Sequence, residues 1–123
     1  MKLSCLQPTE YASYYSTYVN RLGNINLLEA LENSMYSFEE FLSKIPSVKH
    51  EFRYAEDKWT IKDILQHLID AERIFAYRAL RIARNDTTPL PGFEENDYVE
   101  TARANRRSVN DLLEEFVIVR KAT

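Results

Sequence analysis

The chain has 123 residues, 45% hydrophobic and 28% charged, which suits one domain around a single core. Its formal net charge of −3 and pI near 5.4 argue against a dominant phosphate-binding surface, so no nucleic-acid partner is expected. One cysteine rules out an intrachain disulfide and paired-cysteine zinc motifs, and Cys5 reads as an incidental thiol. No apolar run approaches the ~20 residues of a membrane span, and no signal-peptide pattern opens the chain; a cytoplasmic location, without membrane contact, is the expectation.

Two glycines and four prolines leave few turns between long periodic stretches, which predicts an all-α protein. Residues 1–8 read as an extended lead-in. Residues 9–22 carry Tyr11, Tyr14, Tyr15, Tyr18, Val19 and Leu22 at three- and four-residue spacings, a tyrosine-rich amphipathic helix that Gly23-Asn24 interrupts. Asn24 or Asn26 can cap a second helix running to about Ser43, with Leu27, Leu28, Leu31, Met35, Phe38, Phe41 and Leu42 on its core face. Residues 46–58 form a connection in which His50 reads as a surface loop histidine, with a second metal-ligand role as its alternative.

Lys58–Arg84 holds the clearest helical pattern and the only tryptophan. Thr60 is a good N-cap, and Asp63 stands where its carboxylate can return to the Thr60 N–H, a capping-box arrangement. Trp59 and Ile64 have the spacing of a hydrophobic staple, and Asn85-Asp86 marks the end. At about 100° per residue, Ile61, Ile64, Leu65, Leu68, Phe75 and Ile82 share one sector, with Asp63, Asp70, Tyr77 and Arg81 opposite. His67 falls at the edge of the apolar sector, a position that suits a side chain looking into a cleft. Asp70 and Glu72 are expected in ion pairs, with Arg73 or with a neighbouring helix. The turn-rich loop 85–97 carries Leu90 and Phe93, which predicts that it packs on the helices as a cleft wall. A last helix is expected from about Asp97 to the end of the sequence, with Val99, Ala102, Val109, Leu112, Leu113, Phe116 and Val119 as its apolar positions.

Long helices with short connections predict an antiparallel up-and-down bundle occupying residues 1–123 as one domain. Because each helix has a broad apolar face and the last has no stop signal, the bundle is expected to lack part of its last helix, and a homo-oligomer, most simply a dimer, is the expected way of covering what is left.

Three segments carry a family resemblance: EYASYYSTYV at 10–19, residues 53–99 with the run W-T-I-K-D-x-x-x-H-L-x-D-A-E-R at 59–73, and residues 102–123. Over them the chain resembles the DinB-like superfamily, in its YfiT-like group, a set of four-helix bundles assigned as metal-dependent hydrolases or transferases. The resemblance implies a divalent metal, nickel or zinc, held by three histidines. One of these stands where His67 stands here. The other two belong to a G-H-E-x-H-H-like segment that this sequence does not contain, and no histidine follows His67. His67 is therefore the single metal ligand carried over, and the site is expected to be incomplete in this chain. The resemblance implies metal-dependent chemistry on an unknown small-molecule substrate; the alternative is a non-catalytic helical interaction protein, stable as a homo-oligomer.

Overall fold

A computed structural model describes residues 2 and 5–123, so the lead-in expected over residues 1–8 falls partly on residues 1, 3 and 4, which lie outside it. The expected all-α class holds: the described residues form five α-helices joined by short 3-10 turns, with one isolated bridge between Lys2 and Asn26. None of these helices is long and apolar enough to cross a membrane. The chain divides into two compact units, Met1–Phe41 and Leu42–Thr123.

In the first unit the tyrosine-rich stretch is less helical than its spacing predicts. A 3-10 turn over Ser13–Tyr15 runs into a short helix α1, Ser16–Arg21, and Gly23 at φ 63° ends it. Tyr14, Tyr15 and Tyr18 are all exposed, Tyr14 meeting Tyr15 edge-on at 5.2 Å between centroids. Rings that pair with each other in water need no long helix beneath them, so the tyrosine period overstates the helix. Helix α2, Leu27–Ser43, opens as expected: the Asn26 side chain accepts from the Leu28 N–H at 3.0 Å. Of its apolar face Met35 is buried in this unit, while Leu28 and Phe41 are exposed.

The second unit is built on α3, Ile61–Ala83. Its start has the expected capping box, the Thr60 hydroxyl accepting from the Asp63 N–H and the Asp63 carboxylate accepting from the Thr60 N–H, each at 3.0 Å. Its end is also where the sequence placed it, with Asn85 left-handed at φ 54°. There Asp86 receives the Thr88 N–H at 2.9 Å and pairs with Arg81. The Thr88 backbone N–H first, then the Thr88 side chain and Arg81, hold the Asp86 carboxyl down at about 2, from an ordinary 3.8. Its contribution to folding is therefore present above pH 3.8 and lost as the pH falls through about 2. A carbon-detected NMR titration is expected to find this carboxyl among the last to protonate, and Arg81→Met should raise its midpoint; a midpoint in the ordinary range in the parent protein would contradict the arrangement.

Two expectations are corrected here. The last helix is not continuous: α4 spans Glu95–Ala102, Arg103 turns left-handed at φ 52°, a 3-10 turn covers Ala104–Arg106, and α5 spans Val109–Ala122. Ser108 caps α5, its hydroxyl accepting from the Asp111 N–H at 3.0 Å, so a new helix start lies inside a stretch whose apolar spacing fits one helix. The buried face of α3 is also turned away from the predicted one. Lys62, Asp63, Leu65, Gln66 and Ile69 are buried, whereas Ile64, Phe75 and Ile82 are 43%, 53% and 67% exposed. Inward, α3 packs mainly on α5, and also on α4 and the 104–106 turn. Leu65, Ile69, Ala104, Leu112 and Phe116 form the centre of this core.

Candidate functional site

The capped start of α3 fixes where its second turn points, and His67 lies in that turn. Its ring is half-buried and meets the Trp59 ring at 4.9 Å between centroids, tilted by 46°. Trp59 immediately precedes the N-cap, so the capping box and this ring contact hold one another in place. Neither nitrogen of His67 makes a hydrogen bond to another described residue. Trp59 and Ile64, the expected staple pair, both line a cleft of about 240 Å³ with Tyr54, Lys58 and Asn96; His67 is not among its lining residues and reaches it only through the Trp59 ring. The 90–93 part of the next loop lines a second cleft of about 140 Å³ against Ile74 and Arg78, with the Arg78 guanidinium donating to the Pro91 carbonyl at 2.9 Å.

The carboxylates along α3 are all engaged. Asp70 accepts from the Gln66 amide at 3.0 Å, and Gln66 in turn accepts from Arg107 at 3.0 Å. Burial pushes the Asp70 carboxyl up, against the lowering pull of that hydrogen bond, of Arg73 and of His67. Glu72 takes the Arg120 guanidinium on both oxygens, at 2.7 and 2.8 Å, the inter-helix pair expected for it. Arg73 goes to Glu115 at 2.5 Å rather than to Asp70, and Arg107 reaches Glu115 at 2.6 Å. Burial disfavours the Glu115 charge, but these two guanidinium groups outweigh it and hold its carboxyl low.

Asp63 sits deeper still. It is buried, accepts from the Asn105 amide at 2.9 Å, and lies 3.6 Å from the Arg53 guanidinium. Sequence reasoning missed this group of Lys62, Asp63, Gln66, Asn105 and Arg107, because polar residues on an inward face leave no trace in an apolar period. The one available signal was the Ser108–Asp111 spacing, which marks a helix start and hence a turn ahead of it.

His50 is not a plain surface residue. It is half-buried, its carbonyl accepts from the Lys62 N–H at 3.3 Å, and its ring Nε2 is enclosed without a hydrogen-bond partner. Cys5 is exposed. Among the described residues, no group of three His, Cys, Asp or Glu side chains is brought together to share a metal ion. A centre with three protein donors therefore does not fit this chain's described residues taken alone: His67 offers one imidazole, and Asp63, Asp70 and Glu72 are spoken for by protein donors.

Residues 30–123 match the family described as the DinB superfamily. The comparisons find no match among curated proteins or solved structures.

Proposed function

The chain belongs to the DinB superfamily, and from that premise we propose that His67 is one imidazole donor for a divalent cation, nickel or zinc, whose remaining donors come from a partner subunit. The observation that carries this reading is the state of the His67 ring. It is oriented by Trp59, half-exposed, and not consumed by any hydrogen bond to a described residue, while the carboxylates near it on α3 are held by protein donors. An oriented neutral imidazole is the commonest protein metal ligand. The family resemblance supplies hydrolysis or group transfer as the reaction class; such a centre needs three protein donors and an open position, so no catalytic role is assigned to a residue of a single chain.

Elemental mass spectrometry on untagged protein tests the reading. Near-stoichiometric nickel or zinc is expected in the parent protein, lost in His67→Ala. Metal-free protein in both, after purification without chelator, would overturn it.

A second reading, a non-catalytic helical interaction protein stable as a homo-oligomer, is favoured by Ile64, Phe75 and Ile82. Eleven and seven residues apart, they lie on one side of α3, and all three are exposed. Light scattering would then give a dimer that Phe75→Glu dissociates, with no metal bound.

A further inference from the structure

We propose that the cleft between the 47–51 turn and the start of α5 is a binding site for a small oxyanion, a carboxylate or a phosphate, and that Glu51 occupies it from within the chain. The cleft is about 400 Å³, and its lining includes Ser47, His50, Glu51, Lys62, Ser108 and Val109. It does not involve His67 and stands or falls separately from the metal reading.

Lys62 is the centre of the argument. Its side chain is only 11% exposed, on the inward face of α3. A buried ammonium requires an anion and acceptors for its protons. One acceptor is the Asn105 carbonyl at 3.3 Å, fixed by the backbone of the 104–106 turn. The other is the Glu51 carboxylate at 2.6 Å. Glu51 differs from the groups around it: its side chain is 62% exposed and comes from a connecting turn. The counter-anion of a buried cation is thus a solvated, replaceable carboxylate at the mouth of a cleft.

Two further features fit a free oxyanion in that seat. His50 lines the cleft and its Nε2 is enclosed without a hydrogen-bond partner, so a small turn of the ring would let it donate to an oxyanion seated beside Lys62. Ser108 and Val109, the N-cap and first residue of the 14-residue α5, line the same cleft, which brings the positive end of that helix to its wall, with the Ser108 hydroxyl accepting from the Asp111 N–H. The cleft holds one lysine and one carboxylate, and removing the carboxylate leaves a site of net positive charge.

The test is a titration of amide NMR spectra at constant ionic strength, with inorganic phosphate in one arm and acetate in the other. Glu51→Gln is expected to give saturable shifts at Ser108 and Val109 at concentrations at least tenfold below those the parent protein needs. Adding Lys62→Met to Glu51→Gln should abolish saturation, with amide dispersion showing that the double variant is folded. If it does not fold, His50→Ala on the Glu51→Gln background should weaken binding several-fold. Saturation by phosphate alone assigns a phosphoryl ligand, and saturation by both anions assigns a carboxylate-sized seat. Absence of saturable shifts in Glu51→Gln, or equal binding after loss of Lys62 or His50, overturns the proposal.

Discussion

Replacing Leu112 by alanine is expected to lower the unfolding free energy by about 2–5 kcal/mol. Leu112 has no exposed surface and stands on α5 with Val109, Phe116 and Val119, three and four residues apart, all buried. That face meets α3, where Leu65 and Ile69 are likewise fully buried. Removing three carbons here loses their transfer free energy and leaves a cavity that two capped helices cannot readily close. Against a typical total of roughly 5–15 kcal/mol, the loss should move the midpoint of thermal unfolding down by about 8–20 °C. Ile118→Ala is the control. Ile118 is on the same helix but 59% exposed, and its truncation should change stability by no more than about 0.5 kcal/mol. Equal melting of the two variants by circular dichroism would mean that α5 does not pack on α3 through this face.

How far the sequence exposed this arrangement differs from element to element. The start of α3 was legible because its causes are local: a hydroxyl at the N-cap and a carboxylate three residues on specify their own partners. The end at Asn85 was legible for the same reason, since a left-handed residue after a helix favours Asn. The buried face of α3 was not. Lys62, Asp63 and Gln66 each take a hydrogen bond inward with Asn105 or Arg107, some forty residues later, and a count of apolar positions has no access to partners at that separation. The break at Arg103–Ser108 was hidden by coincidence: Ala102 and Val109 are seven residues apart, two helical turns, so an uninterrupted stripe and a broken one look alike. His67 is half-buried, as expected of a position at the edge of the apolar sector, because that needed only its angle around α3. Its contact with Trp59 is a side-chain meeting across the cap, which residue spacing does not encode.

The second large effect is expected at Asp63. Its carboxylate accepts the Thr60 N–H on one oxygen and the Asn105 amide on the other, while the Thr60 hydroxyl donates to Asn105 at 2.9 Å. Three residues thus close a ring of hydrogen bonds that joins the start of α3 to the turn between α4 and α5. Asp63→Ala leaves the Thr60 hydroxyl cap in place but strands two donors, the Thr60 N–H and the part-buried Asn105 amide, at about 1–3 kcal/mol each if nothing replaces their acceptor. A total loss of about 3 kcal/mol is the expectation. Asp63→Asn should fall between, because the amide oxygen can serve one of the two donors but its nitrogen faces the other. Arg53 does not alter this balance: at 3.6 Å and half-exposed, its pairing is worth at most about 1 kcal/mol, and Arg53→Met should leave stability nearly unchanged. The decisive measurement is a double-mutant cycle in urea with Asp63→Ala and Asn105→Ala. A ring predicts that the second substitution costs much less once the first is made, a coupling of about 0.5–3 kcal/mol. Strict additivity would mean that the cap and the turn are stabilised separately. Coupling would also reach the imidazole, since Trp59 is held at the mouth of the same ring and His67 rests on Trp59; in Asp63→Ala the His67 ring resonances should move and broaden, whereas in Leu112→Ala they should keep their positions until the protein unfolds.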